Sequence, residues 1–153
     1  MNDVEQLAES IAQAMAQREL TLGTVEIGIE GAVSRQIFAV EEGPAVLGTC
    51  LIADELEKAI GLMGLPRPQF KKAGDFSAKA ARAAAREGRG FLEVDVCLAV
   101  WTEGALSPER PVHLAVGTSR EVTSKEIQFE DLEEQGTEWV VYQALEMVER
   151  ALS

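Results

Sequence analysis

The sequence has few of the residues that build metal centres and disulfides, and it lacks a long apolar run. It has two cysteines and one histidine in 153 residues, too few soft ligands for a structural zinc, so we expect no metal. No apolar run approaches the roughly 18 residues that cross a bilayer. The N-terminus, MNDVEQLAES, is acidic rather than basic and has no signal-peptide pattern, which predicts a cytoplasmic protein.

The scarce thiols and the histidine all lie in strand-like stretches. Cys50 and Cys97 lie inside the apolar runs AVLGTCLI and VDVCLAV. We expect both to be buried free thiols, because free cysteine behaves as a small hydrophobic residue and a reducing cytosol disfavours disulfides. His113 alternates with Val112 and Leu114. This pattern predicts a packed histidine on a strand face, with a catalytic base as the alternative.

Positive charge is also scarce, with 14 basic against 26 acidic residues and a net charge of −12. Such a chain repels nucleic acid and anionic membranes, so we expect neither as a partner. Seven of the basic residues fall between Arg67 and Arg89, and the segment from Glu126 to Glu138 is strongly acidic. This separation is typical of solvated faces, of a remnant anion site or of a contact between subunits. The last interpretation predicts a homo-oligomer whose contact includes part of 67–89.

Apolar spacing and capping signals predict the helices. The 3.6-residue period predicts helices at 3–17, 30–39 and 134–152. Asp54 as N-cap predicts a short helix that ends at Met63 and Gly64, after which two prolines follow. Asp75 or Ser77 as N-cap, with Gly88 as the stop, predicts another helix.

Strands are predicted between these helices, at 22–27, 45–52, 94–100, 112–117 and 121–129. The continuous apolar runs at 45–52 and 94–100 are typical of strands covered on both faces. The more polar run at 121–129 suits a sheet edge. The order predicts one α/β domain over residues 1–153, a three-layer α/β/α sandwich around a mixed, mostly parallel sheet of about five strands.

The segment TLGTVEIGIEGAVSR, residues 21–35, leads from a strand through two glycines into a helix, where α/β proteins commonly place a nucleophile or a phosphate-binding turn. With LTLGTVE, EKAIGLMGLP, GDFSAKAARAAAREGR, DVCLAV and SPERPVHLAV, it resembles the CinA C-terminal domain family over residues 4–152. Active members of that family deamidate nicotinamide mononucleotide. The resemblance therefore implies the family's fold and an amidohydrolase ancestry.

Four positions depart from the family at its reactive site. Ile27 stands where the family has its proposed nucleophilic serine, and Ala53 stands where it has a tyrosine. Trp101 replaces a threonine at the start of a glycine-rich loop, here about three residues shorter, and Leu132 replaces an arginine. A hydrocarbon side chain cannot attack an amide. The resemblance thus predicts a chain that keeps the fold and lacks the amidase site, filled by Ile27, Ile29 and Trp101.

Four polar residues remain as weak candidates for ligand binding: Glu26, Ser77, Thr102 and Glu103. Each has a structural alternative: a backbone hydrogen bond for Glu26, a helix N-cap for Ser77 and a rearranged loop for Thr102 and Glu103. Trp101 is either a lid over a closed pocket or an exposed anchor for a partner. We expect the chain to use no cofactor. We expect it to act as a binding or interaction module for an unidentified protein or small molecule. The alternatives are a nicotinamide-nucleotide amidohydrolase with substitute residues and a small-molecule sensor.

Overall fold

The computed structural model describes residues 2–65, 73–102, 106, 110–128 and 132–153, and at 73–77 and 132–135 it describes the backbone alone. The helices in these ranges are α1 (Asp3–Gln17), α2 (Ala32–Phe38), α3 (Gly43–Val46), α4 (Leu56–Met63), α5 (Ala73–Leu92) and α6 (Leu132–Ala151). The strands are β1 (Leu22–Ile27), β2 (Leu47–Ala53), β3 (Val96–Trp101), β4 (Val112–Gly117) and β5 (Val122–Ile127). Across the described ranges, every helix is too short or too polar to span a bilayer.

The five strands form one mixed sheet in the order β2-β1-β3-β4-β5. Strand β1 pairs in parallel with β2 on one side and β3 on the other, whereas β4 is antiparallel to both β3 and β5. Apolar side chains alternate between the two faces of the sheet. One face packs against α1, α2 and α6, and the other packs against α4 and α5. This arrangement confirms the predicted α/β fold with helices on both faces.

Strand β2 differs from its prediction. The run 45–52 was expected to be a strand covered on both faces, but the strand begins at Leu47 after the short helix α3 and lies at the sheet edge. Gly48, Thr49 and Ile52 are exposed, and Cys50 is only half-buried. An apolar run does not reveal which strand is outermost, because that depends on pairing order. Strands β3 and β4 are buried throughout, and β5 lies at the opposite edge as predicted.

The start of α4 also differs from its prediction. Its N-cap is Glu55, which makes no side-chain capping bond, while Asp54 pairs with Lys58 Nζ at 2.8 Å. That exposed pair holds the pKa of Asp54 below its usual value and raises that of Lys58, chiefly through the hydrogen bond between them. At the other end Gly64 has φ +69, so the predicted glycine stop is confirmed.

Helix α5 is longer than predicted at both ends. It begins at Ala73, so neither Asp75 nor Ser77 is its N-cap, and it continues through Gly88 to Leu92. A Cβ at Gly88 would lie 2.5 Å from Cys97 Sγ of β3. Glycine at this position therefore lets the helix lie close to the sheet and does not end the helix.

Candidate functional site

The candidate site lies where β2, β1 and β3 end. Ile27 pairs with Ala53 across β1 and β2, and Glu26 pairs with Val100 across β1 and β3, which places Trp101 level with Ile27. The chain leaves β1 toward β2 on one side, and β3 lies on the other. Such a topological switch point at the carboxyl ends of parallel strands is where open α/β sheets bind ligands. The fold therefore brings residues 27, 53 and 101 to one place; these are three of the four positions at which the resemblance predicts departures.

Glu26 is fully buried at the end of β1, and each of its oxygens accepts hydrogen bonds. Oε1 accepts from the backbone N–H of Val33 at 2.7 Å, and Oε2 accepts from the N–H of Ser34 at 3.1 Å and from the Thr24 hydroxyl at 2.7 Å. Val33 and Ser34 lie in the first turn of α2, whose N-cap, Gly31, has no side chain. The glutamate therefore performs the capping role that Gly31 cannot.

The turn between Glu26 and α2 has an unusual backbone. Gly28, Glu30 and Gly31 have φ values of +86, +55 and +75. Glycine suits position 31 because other residues adopt its φ of +75 only with strain; a Cβ there would also displace the exposed Ile52 Cδ1, 2.6 Å away. The Gly28 N–H donates to the Ala53 carbonyl at 3.3 Å, which ties the turn to the end of β2. This geometry aims the amides of α2 at Glu26.

Hydrocarbon occupies the centre of the switch point. Ile27 and Trp101 are both 0% exposed and belong to one apolar cluster with Val25 and Ala99, and Ala53 packs against it. Ile29 is buried too, but in the cluster on the other face of the sheet. Trp101 is thus a packed core residue, and its interpretation as an exposed anchor is wrong. Its Nε1–H has no hydrogen-bond partner within the described part of the chain.

Thr102 follows Trp101 and is 3% exposed. Its hydroxyl donates to the Ile27 carbonyl at 2.9 Å, so it connects the ends of β1 and β3. Of the other candidates, Glu103 lies outside the described residues. Ser77 and Leu132 lie in α5 and α6, and their side chains are outside the description.

Two further titratable groups adjoin this region. His113 is buried in β4 and pairs with Trp101 across the sheet, a packed position as predicted. Burial raises the pKa of the Cys97 thiol to about 12, and its Sγ lies 3.8 Å from the Ala84 carbonyl oxygen. A thiol of that pKa is protonated at neutral pH and is a poor nucleophile. Among the described residues, no group of three or more histidine, cysteine, aspartate or glutamate side chains could hold a metal ion.

Sequence reasoning overlooked Thr24 and Ser34. The signal for Thr24 was available, because side chains two residues apart on a strand share a face, which places its hydroxyl beside Glu26. The contact with Ser34 depends on the left-handed turn, which the sequence suggests only through its glycines.

Comparison with known proteins identifies one family that this chain resembles. The model of the CinA C-terminal domain matches residues 4–152. A competence-damage inducible protein of Symbiobacterium thermophilum is 30% identical over 115 residues, 72% of this chain and 27% of that protein. The match thus spans about a quarter of the relative's length.

Solved structures share the fold over the whole chain. The competence or damage-inducible protein from Enterobacter asburiae superposes with a TM-score of 0.87 at 19% identity, covering 100% of both chains. The competence/damage inducible protein CihA from Agrobacterium tumefaciens also gives 0.87, at 22% identity, covering 99% of this chain and 96% of that one.

Proposed function

The chain belongs to the CinA C-terminal domain family, and from that premise we propose that it is a non-catalytic member that acts by binding a protein or small ligand. The observation that carries the proposal is the complete burial of Ile27 and Trp101 at the switch point. The family resemblance puts Ile27 where active members have their serine. An isoleucine side chain has no lone pair to attack an amide and no proton for a base to remove.

The two polar candidates that the structure describes at this edge, Glu26 and Thr102, have structural roles. Both Glu26 oxygens accept hydrogen bonds from α2, and the Thr102 hydroxyl donates to a backbone carbonyl. Freeing either group for catalysis would leave buried polar atoms without partners, which is costly. This engagement supports the non-catalytic interpretation over the alternative, an amidohydrolase with substitute residues.

The direct experiment incubates the purified protein with nicotinamide mononucleotide and measures ammonia release. We expect no release above a blank without protein. Protein-dependent release above the blank would contradict the proposal, including turnover far below the median enzyme rate of ~10 s⁻¹. Thr102→Val and Ser77→Ala variants would then show which substitute hydroxyl acts. An Ile27→Ser variant should remain inactive, because positions 53, 101 and 132 also differ from the family.

We also propose that the protein self-associates. The charge separation along the sequence supports this, although part of the basic segment is engaged within the chain. Arg82 Nη1 donates to Ser124 Oγ at 2.9 Å, and Arg89 donates to the carbonyls of Asp95 and Thr118. Arg86 Nε lies 3.7 Å from Glu87 Oε1, and Lys79 also has an interaction within the chain. The proposal therefore depends on Arg67, Lys71 and Lys72, which lie outside the described residues.

Light scattering at micromolar concentration and moderate salt tests the assembly. A monomeric mass would contradict it. An oligomer whose mass is unchanged when the three cations are replaced by glutamine would keep the assembly and reject the charge argument. We further propose a cytoplasmic location, since Cys50 and Cys97 are free thiols that suit a reducing compartment.

A further inference from the structure

A polar cavity lies between α1, α2 and α6. Its volume is about 290 Å³. Val4 and Val141, which are 6% and 4% exposed, form an apolar floor. Ligand pockets commonly measure about 300 to 1,000 Å³, and this volume lies at the lower limit of that range. The cavity therefore suits a metabolite of amino-acid size better than a nucleotide.

Two opposite charges line this cavity without pairing. Arg35 of α2 and Glu138 of α6 are both exposed. Neither side chain makes an ion pair or a hydrogen bond with another described residue, whereas Arg150 pairs with Glu146 on the same helix α6. The guanidinium and the carboxylate are therefore both available to a molecule that enters from solvent.

The remaining polar groups add hydrogen-bonding capacity. Gln36, Thr137 and Asn2 contribute two amides and a hydroxyl to the lining. The Asn2 Oδ1 already accepts from the Glu5 N–H at 2.8 Å, which leaves its amide nitrogen as a donor. Gly136 interrupts α6 with φ 39 and ψ −139, so Glu138 lies in the part of the helix that follows this break.

We propose that this cavity binds a small zwitterion of the α-amino-acid class, with its carboxylate on Arg35 and its ammonium group on Glu138. A guanidinium fork matches the two oxygens of a carboxylate, and a carboxylate is the complementary acceptor for an ammonium group. A chain with a net charge of −12 repels a free anion at long range, whereas a zwitterion has no net charge to be repelled. This inference does not depend on whether the switch point has lost catalysis.

Isothermal titration of the intact protein with each of the twenty standard amino acids tests the proposal. We expect at least one to bind saturably with a Kd below ~1 mM, an affinity that a few charge-assisted contacts supply. The α-amide of that amino acid lacks the carboxylate, and its N-acetyl derivative lacks the ammonium group. Each should bind at least about tenfold more weakly.

Two variants test which protein charge binds which charged group of the amino acid. Arg35→Gln should remove the preference for the amino acid over its α-amide, and Glu138→Gln should remove the preference over its N-acetyl derivative. Arg86→Gln and Glu87→Gln change an exposed pair on α5, across the sheet, and should leave binding unchanged. The proposal is overturned if no amino acid binds, or if binding is equal in the Arg35, Glu138 and control variants. Both site residues are exposed, so unchanged thermal unfolding would show that the variants are folded.

Discussion

Replacing Glu26 tests the structural role that the fold gives to this buried carboxylate. In Glu26→Gln one of the two oxygens becomes an NH₂ group. If the NH₂ group takes the Oε1 position, the Val33 N–H loses its acceptor; if it takes the Oε2 position, the Ser34 N–H does. The Thr24 hydroxyl can reorient to accept from the new amide, but a backbone N–H cannot. Either orientation therefore leaves one buried donor without a partner.

The number of buried donors left without a partner sets the expected loss of unfolding free energy. An orphaned buried N–H costs about 1–3 kcal/mol, and the surviving hydrogen bonds lose their charge assistance, so Glu26→Gln should lower the free energy of unfolding by about 2–4 kcal/mol. Glu26→Ala orphans both amides and leaves a cavity, and should cost about 3–5 kcal/mol. Glu30→Gln is the matched control, because Glu30 lies in the same turn with its side chain exposed. It should change stability by less than ~0.5 kcal/mol.

Urea unfolding followed by circular dichroism measures these differences, with an unchanged m-value as the check that both states are comparable. Thermal midpoints should fall by about 2–4 °C for each kcal/mol in a chain of this size. If Glu26→Gln lies within ~0.5 kcal/mol of the parent protein, or loses no more than Glu30→Gln, the capping argument is refuted.

Three further predictions concern the apolar layer beside α5. Gly88→Ala should lower the unfolding free energy by about 1–3 kcal/mol despite alanine's better helix propensity, because the new Cβ meets the Cys97 sulfur. Gly90→Ala is the matched control: the space around Gly90 is open, so this variant should raise the unfolding free energy by up to ~1 kcal/mol. Trp101→Phe removes an N–H without a described partner and should cost under ~1.5 kcal/mol, whereas Trp101→Ala should cost about 3–5 kcal/mol, both by urea unfolding. An aromatic disulfide reagent at pH 8 should label Cys50 and leave Cys97 unreacted, since burial raises the pKa of the Cys97 thiol to about 12; two rapidly reacting thiols would contradict this.

Local patterns predicted most of the fold. The strand at 112–117 agrees with β4 at both ends, and Gly64 ends α4 as expected, because alternation and a left-handed glycine are signals carried by adjacent residues. The edge position of β2 was not predictable, because its apolar residues are the same whether or not another strand lies beyond it. The start of α5 was missed for a similar reason, since Asp75 suits the first turn of a helix as well as its cap.

The candidate site was predictable only in part. The order of strand, turn and helix indicated that residue 27 lies at a strand end, but the packing of Trp101 level with it depends on the pairing of β1 with β3. The cavity lined by Arg35 and Glu138 could not be predicted from the sequence, because the two residues are far apart in the chain and belong to no motif. Charges become neighbours through the packing of α2 and α6, which a linear pattern does not report.

The capping glutamate also affects how related sequences should be interpreted. Because Glu26 accepts hydrogen bonds from the amides of α2, a glutamate there stabilises this turn in any chain that has it, whatever that chain's chemistry. Finding that residue in an uncharacterised sequence is therefore evidence of shared architecture, and it says nothing about turnover. Under the proposed function, a classifier that separates active from inactive members should instead give weight to positions 27 and 101, where a substitution would change reactivity without removing the helix cap.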